Sequence, residues 1–184
     1  AELGPVEVLV NNAGISPDKF FHKMSPELWN QVIDTNLNSF FNVTHQVIGP
    51  MRNAGFGRIV NMASLSAFAP NYGETSYGAA KGAMVSLTKA LAKESIAKGI
   101  TVNAICPGLT ETERLSGMAE GLRPEGVDME THRQKLIADH AAQVPLGRIA
   151  QPADIARTAA FLASEEGGYL SGLALNVSGG AWLT

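Results

Sequence analysis

The sequence predicts an α/β fold in which a parallel sheet carries helices on both faces, and three observations lead to it. Short apolar runs rich in β-branched residues alternate with segments whose apolar residues recur at helical spacing. One helical crossover separates each run from the next, as parallel strands require, and such crossovers are right-handed. The length of 184 residues suits one domain, so we expect residues 1–184 to form a single unit of about four strands.

The first half of the chain contains two predicted strands and one helix. The strand at residues 6–10 (VEVLV) is apolar and β-branched, and it ends in the turn-prone residues 11–14 (Asn-Asn-Ala-Gly). A helix begins at Ser25-Pro26-Glu27, because a hydroxyl cap, a proline in the first turn and an acid favour a helix N-terminus. Apolar residues at helical spacing extend it as one long helix to about Gly49-Pro50. The second strand follows at residues 58–63 (RIVNMA).

The middle of the chain contains a long helix and the third strand. The helix runs to about Lys98, and Gly99 is placed to end it as a C-cap glycine. The third strand covers residues 101–105 (TVNAI) and ends at Pro107-Gly108. The sequence therefore continues the alternation of strand and helix.

The last third begins with a less regular segment. Residues 109–145 are polar and interrupted by glycines, which predicts one or two short helices joined by loops. A helix from Pro152 to about Ala163 and a fourth strand at residues 173–177 complete the order βαβαβαβ. The first strand, at residues 6–10, is apolar on both faces and suits the interior of a sheet, yet nothing before it is predicted to pair with it. We therefore expect an N-terminally truncated sheet.

Composition excludes several classes of protein. The net charge is −3 and no block of Lys or Arg occurs, which argues against nucleic acid as a partner. No apolar run approaches the roughly 18 residues that span a bilayer, and the opening lacks a signal-peptide pattern. The single cysteine, Cys106, excludes an intrachain disulfide, and the four histidines lack metal-ligand spacing. These features predict a soluble cytoplasmic protein without a metal site.

Tyr77 and Lys81 are the first candidates for chemistry, because residues four apart lie on the same face of a helix. A tyrosine pKa near ~10 is too high for proton transfer at neutral pH, and a nearby cation would lower it. The pair alone is weak evidence. Ser64 follows the second predicted strand, thirteen residues before Tyr77, where its hydroxyl would donate to a carbonyl oxygen.

Further candidates lie where predicted strands end, the place at which open parallel sheets bind ligands. Residues 11–14 close the first strand with small side chains that let a ligand approach the backbone. Pro107-Gly108 closes the third strand, and Thr112 follows it. Asn36 lies in the middle of a predicted helix, an unfavourable place for asparagine unless its side chain makes a specific contact.

As a set, these residues resemble the short-chain dehydrogenase/reductase family, and the resemblance covers essentially the whole chain. The matching residues, in order, are Asn11, Asn12, Ala13, Gly14, Asn36, Ser64, Tyr77, Lys81, Pro107, Gly108, Thr112, Ser178, Gly179 and Gly180. The resemblance implies a Rossmann-like fold, NAD or NADP as the cofactor, and hydride transfer between a carbonyl and a secondary alcohol. It also implies a small-molecule substrate, a homo-oligomer (dimer or tetramer), and a substrate lid at residues 109–145.

The resemblance assigns a catalytic role to four residues. Tyr77 would be the general acid/base, and Lys81 would lower its pKa and bind the nicotinamide ribose. Ser64 would hold the carbonyl oxygen, and Asn36 would seat a water of the proton relay.

The resemblance also implies cofactor contacts. Asn12, Ala13 and Gly14 would lie along the adenosine side of the cofactor. Pro107, Gly108 and Thr112 would pack on the nicotinamide, beside Tyr77 and Lys81.

The chain departs from the family at its start. Family members begin with a strand and a glycine-rich turn that cradles the pyrophosphate, and no such turn precedes Val6. We therefore expect a partial domain lacking on the order of 80 residues. The residue that separates NAD from NADP is not available to read.

Several functions remain open at this stage. The nearest resemblance is to 3-oxoacyl-ACP reductases, and small sugar or polyol dehydrogenases are an alternative because residues 112–145 form a long segment. A catalytically silent fragment that serves folding or oligomerisation is a second alternative. A lyase or epimerase using the same Tyr77 and Lys81 pair is a weaker one.

Overall fold

A four-stranded parallel sheet forms the centre of the molecule in the computed structural model, which describes residues 4–183. Its strands follow one another in chain order, so every neighbouring pair is joined by a crossover. The strands are β1 (Val8–Asn11), β2 (Gly57–Met62), β3 (Ile100–Pro107) and β4 (Ala174–Val177). The predicted parallel α/β fold is thus confirmed, with strand bounds shifted by one or two residues.

Six α-helices accompany the sheet in the described residues. They are α1 (Pro26–Ile33), α2 (Ser39–Ala54), α3 (Thr75–Ser95), α4 (Glu113–Leu122), α5 (Met129–Ala141) and α6 (Pro152–Ala163). None of the helices between residues 4 and 183 is long and apolar enough to cross a membrane.

The core lies on both faces of β2 and β3. One face of the sheet packs against α2 and α3, where Met51 and Met84 are fully buried. The other face packs against α6 through Ile155 and Leu162. Both central strands are buried along almost their whole length, as expected for strands covered by helices on each side.

The edge strand β1 differs from its prediction. It begins at Val8 instead of Val6, and within residues 4–183 it pairs with β2 alone. Val8 and Val10 keep 43% and 45% of their surface exposed, in agreement with the prediction of an apolar strand with nothing before it to pair with.

The predicted single helix from Ser25 to about Pro50 needs two corrections. Ser25 caps it as expected, because its hydroxyl accepts a hydrogen bond from the backbone of Leu28 at 3.2 Å. A π-helical turn at Asp34–Asn38 then separates α1 from α2. The helix also passes through the exposed Pro50 and ends at Gly55, whose left-handed conformation (φ 70°) lets its N–H donate to the Met51 carbonyl.

The elements after β2 agree with the sequence. Helix α3 ends in a short 3₁₀ turn at Ile96–Lys98, and Gly99 closes it with φ 71°. Residues 109–145 contain two short helices, α4 and α5, as predicted. Residues 1–3 and 184 of the predicted single domain lie outside the described residues.

Candidate active site

An open pocket of about 820 Å³ lies at the carboxyl ends of the strands. Six of the residues predicted from the sequence line it: Asn12, Gly14, Tyr77, Lys81, Pro107 and Thr112. Its far wall is formed by the small and apolar side chains of α6, which the sequence did not indicate: Pro152, Ile155, Ala156 and Ala159.

Tyr77 and Lys81 are neighbours on α3, but the lysine points deeper than the phenol. The Lys81 ammonium lies 5.6 Å from the centroid of the Tyr77 ring and donates a hydrogen bond to the Met62 carbonyl at 2.6 Å. The lysine side chain is almost fully buried, at 3% exposure. Its cation is thus held against the end of β2.

The electrostatics of the pair differ from the expectation that Lys81 lowers the pKa of Tyr77. Burial raises the pKa of the Tyr77 phenol, and the hydrogen bond with Ser64 and the Arg114 cation oppose this only in part. Burial also lowers the pKa of Lys81 to about 8, helped by the Arg114 charge. The cation that lowers the pKa of the phenol is therefore Arg114, whose Cζ atom lies 5.1 Å from the centroid of the Tyr77 ring.

Ser64 lies where the sequence placed it, directly after β2. Its Oγ accepts a hydrogen bond from the Ser66 backbone N–H at 3.1 Å, which fixes the turn that follows the strand. The Ser64 side chain also lowers the pKa of the Tyr77 phenol through a hydrogen bond. Tyr77 lines the pocket, and Ser64 stands next to it at the end of β2.

Asn36 is fully buried inside the π-helical turn. Its Nδ2 donates to the Ile15 carbonyl at 2.8 Å and to the Val32 carbonyl at 2.9 Å, which ties the helix to the loop after β1. Its Oδ1 accepts no hydrogen bond from the residues that the structure describes. A π turn adds one residue to the helix and often marks a functional site, which accounts for the asparagine in mid-helix.

Gly14 brings the loop after β1 against this asparagine. A Cβ atom at position 14 would lie 2.7 Å from Asn36 Oδ1 and 3.5 Å from Lys81 Nζ. The glycine thus leaves open the space between the two side chains. Ala13, beside it, is exposed, in keeping with a loop whose backbone faces the pocket.

The two predicted residues after β3 form the opposite side. The Gly108 N–H donates to the Val177 carbonyl at 3.0 Å, which holds the end of β3 to β4. Thr112 is the N-cap residue of α4, and its Oγ1 lies 3.4 Å from the Thr110 carbonyl oxygen. Both residues therefore position the backbone at the pocket rim.

Two charged residues of the site escaped the sequence analysis, Glu74 and Arg114. Glu74 is 5% exposed and accepts a hydrogen bond from Ser66 Oγ at 2.9 Å. Arg114, in the first turn of α4, donates to Glu74 Oε1 at 3.1 Å and stacks on the Tyr77 ring. The sequence could have indicated them only by their positions, three residues before Tyr77 and two residues after Thr112.

These features fit a dinucleotide cofactor at the nicotinamide end. The pocket is open, Gly14 removes the side chain that would fill its floor, and Asn36 Oδ1 is a buried acceptor without a partner. Metal binding has no comparable site, since residues 4–183 hold no group of three or more His, Cys, Asp or Glu that could bind an ion.

A parallel α/β sheet with a pocket at the carboxyl ends of its strands places the protein among the open α/β folds that bind ligands, dinucleotides among them, at this edge. Comparison with known families gives the particular family. A family described as enoyl-(acyl carrier protein) reductase, part of the short-chain dehydrogenases/reductases, matches residues 1–181. The chain belongs to the short-chain dehydrogenase/reductase family and is an NAD(P)-dependent oxidoreductase that interconverts carbonyls and alcohols of small molecules. The resemblance predicted from the motifs is confirmed.

Individual relatives support the same assignment. The chain is 45% identical over 182 residues to an acetoacetyl-CoA reductase of Rhizobium meliloti, covering 99% of this chain and 70% of that one. It is 42% identical over 180 residues to the 3-oxoacyl-acyl-carrier-protein reductase FabG of Chlamydia muridarum, covering 98% and 67%.

Among solved structures, the aldohexose dehydrogenase of Thermoplasma acidophilum in ligand-free form superimposes with a TM-score of 0.92. The two chains are 32% identical, and the match covers 98% of this chain and 69% of that one. The Rossmann-like fold class is confirmed.

Proposed function

We propose that the chain reduces the keto group of a 3-oxoacyl thioester to the secondary alcohol, with Tyr77 as the general acid. The observation that carries the proposal is the Tyr77 phenol in the pocket wall, with the buried Lys81 ammonium 5.6 Å from its ring centroid and Ser64 lowering its pKa. The names of the relatives, acetoacetyl-CoA reductase and 3-oxoacyl-acyl-carrier-protein reductase, supply the substrate class.

In the proposed reaction the substrate carbonyl oxygen accepts hydrogen bonds from Ser64 and Tyr77. The nicotinamide, when bound, supplies the hydride to the carbonyl carbon. The Tyr77 phenol gives its proton to the oxygen as negative charge develops there, and Ser64 steadies that charge. Burial raises the pKa of Tyr77, so the phenol carries at neutral pH the proton that reduction consumes, and the Arg114 cation, which lowers that pKa, eases its release.

The cofactor would be held by the residues around the pocket. We assign the ribose hydroxyls to Tyr77 and Lys81, and a relay water to Asn36, whose Oδ1 has no other partner. Asn12, Ala13 and Gly14 would contact the adenosine side. Pro107, Gly108 and Thr112 would contact the nicotinamide. NAD and NADP are both compatible with these contacts.

Residues 109–145 form the substrate lid in this proposal. They contain α4 and α5, and α4 places Arg114 at the pocket. We also propose a homo-oligomer, dimer or tetramer, since Phe41 and Val43 on α2 are 59% and 45% exposed.

Oxidation of a sugar is the second candidate, and the structural match to an aldohexose dehydrogenase favours it. The two candidates differ in substrate and share the same acid/base residue. Parallel assays with acetoacetyl-CoA plus NADH or NADPH, and with aldohexoses plus NAD or NADP, separate them. Turnover of aldohexoses alone would overturn the thioester assignment.

The Tyr77→Phe variant tests the acid/base role. It removes the proton donor and keeps the ring, so we expect the rate of acetoacetyl-CoA reduction to fall by about 10²–10⁴-fold. Fluorescence titration with NADPH and NADH should show that cofactor affinity is nearly unchanged. Retained turnover would exclude Tyr77 as the general acid. A folded wild-type chain that binds neither dinucleotide would favour the silent-fragment alternative.

A further inference from the structure

Arg114 connects the lid helix α4 to two other parts of the site. Its guanidinium donates to Ser16 Oγ at 3.0 Å and to Glu74 Oε1 at 3.1 Å, and it lies 3.8 Å from Asp18 Oδ1. Ser16 and Asp18 belong to the loop after β1, whereas Glu74 precedes α3. One side chain thus spans the mouth of the pocket.

Arg114 also contacts the proposed acid/base. Its Cζ atom lies 5.1 Å from the centroid of the Tyr77 ring, and its charge favours the ionised phenol. The Lys81 ammonium lies at a similar distance from the ring centroid, 5.6 Å, but gives its hydrogen bond to the Met62 carbonyl. The guanidinium is therefore the cation that lies against the ring without a hydrogen bond to the end of β2.

Glu74 fixes Arg114 in this place. Its Oε2 accepts hydrogen bonds from Ser66 Oγ and from the Asn71 N–H, both at 2.9 Å, so the carboxylate has one orientation. A carboxylate that is 5% exposed requires a charged partner, and Arg114 provides it through Oε1. Ser66 in turn bonds to Ser64, so the network reaches both hydroxyls of the site.

We propose that Arg114 is a positioning residue for Tyr77, held in place by the buried Glu74. Its guanidinium orients the phenol and favours its ionised form. The position of α4 and the ionisation of Tyr77 are therefore coupled. The inference rests on the proposed function only in taking Tyr77 as the acid/base.

The charges around the phenol fix the sign of the effect. Arg114 comes from α4, Lys81 from α3, and Glu74 from the residue before α3; Asp18 and Cys106 lie behind Arg114 and Lys81. Removing the Arg114 cation leaves Glu74 unopposed beside the phenol. Both changes disfavour the phenolate, so the pKa of Tyr77 rises.

The test is a pH titration of the Tyr77 phenol by NMR of protein labelled at tyrosine Cζ, with Tyr77→Phe identifying its resonance among the three tyrosines. At one alkaline pH where both proteins are folded, we expect the ratio of ionised to neutral Tyr77 in Arg114→Met to be about a tenth of the wild-type value. Arg114→Lys keeps the positive charge and loses the paired N–H donors of the guanidinium. Its ratio of ionised to neutral Tyr77 should therefore lie between those of wild type and Arg114→Met.

Arg133→Met is the matched control. Arg133 belongs to the same lid segment, on α5, and pairs with Glu111 and Glu130. Its removal also costs an ion pair of the lid, but it should leave the Tyr77 titration unchanged. An equal change in Arg133→Met would mean that lid stability, and not the Arg114 charge, sets the ionisation.

Activity provides the second readout. The alkaline limb of kcat/KM for carbonyl reduction should move up by about one pH unit in Arg114→Met, because reduction uses the protonated phenol. A titration equal to wild type would overturn the proposal; if Arg114→Met does not fold, Arg114→Lys decides it by the same criterion. Turnover retained by Tyr77→Phe would contradict the proposed function and leave the shift in ionisation intact, so the two failures are distinguishable.

Discussion

At the scale of single residues, burial governs the chemistry of the site more than the spacing of charges does. The sequence shows that Tyr77 and Lys81 share a helix face, and it predicts that the cation lowers the phenol pKa. The structure buries both groups, so the phenol pKa is raised and the lysine pKa falls to about 8. Spacing is visible in a sequence, whereas desolvation depends on strands far away in the chain.

The Lys81→Met variant measures the stability that this burial costs. Lowering the Lys81 pKa from 10.5 to about 8 corresponds to about 3 kcal/mol of destabilisation, which the variant removes. The variant also loses the hydrogen bond to Met62, which costs it about 1 kcal/mol. We expect the free energy of unfolding at pH 7 to rise by about 1–2 kcal/mol, measured by urea unfolding. Catalytic activity should be lost in the same variant.

The direction in which stability changes with pH follows from the protonation of Lys81 in the folded and unfolded states. Unfolded Lys81 keeps its proton up to about pH 10.5, and native Lys81 only up to about pH 8. Wild-type stability therefore gains from this residue as pH rises through that window, and the advantage of Lys81→Met should shrink. The control is Lys89→Met, an exposed lysine on the same helix, which should change stability by less than ~0.5 kcal/mol. A Lys81→Met protein less stable than wild type at pH 7 would contradict the argument.

At the scale of elements, the contact between the loop after β1 and the π-helical turn sets the depth of the pocket. The two Asn36 amide hydrogen bonds, to Ile15 and Val32, hold loop and helix together. Gly14 permits this contact because a side chain there would meet Asn36 Oδ1. The elements are thus placed by one buried amide and one missing side chain.

The Gly14→Ala variant tests this contact. Its methyl group must displace the Asn36 side chain or move the loop, so we expect kcat/KM to fall by about 10–100-fold and stability by about 1–2 kcal/mol. Gly117→Ala is the control, because Gly117 lies in α4 with no atom within 4 Å of its added Cβ. That change should stabilise the protein by about 0.5–1 kcal/mol and leave kcat/KM unaltered. Unchanged kinetics in Gly14→Ala would mean that the loop adapts freely.

Most elements were predictable because their signals are local. Ser25 and Gly99 mark helix ends by chemistry that operates within four residues, and both hold in the structure. The π turn was not predicted, because the apolar residues before and after Asp34–Asn38 also fit one continuous helical pattern. The only local indication of the π turn was Asn36, an asparagine in the middle of a predicted helix. Glu74 and Arg114 meet across 40 residues of chain, so their pairing had no local signal.

At the scale of the whole molecule, the two ends of the sheet differ: one carries the pocket, and the other carries hydrogen bonds that join separate segments of the chain. The pocket occupies the carboxyl ends of the strands, while Arg58 lies near the opposite end, at the start of β2. Its guanidinium donates to the carbonyls of Gly57, Gly99 and Ser164, at 3.0, 3.3 and 3.4 Å. These carbonyls belong to β2, to the turn before β3 and to the end of α6, so one buried side chain ties three segments together.

The Arg58→Met variant should separate stability from catalysis. It removes the three hydrogen bonds that the buried guanidinium donates to these carbonyls, and we expect the free energy of unfolding in urea to fall by about 2–3 kcal/mol. Arg58→Lys should be no more stable than Arg58→Met, because a single ammonium cannot reach three carbonyls and its charge stays buried. The kcat of both variants, measured well below their unfolding temperatures, should equal that of wild type. A loss of kcat without a loss of stability would show that the two ends of the sheet are coupled, since Arg58 is not among the residues that line the pocket.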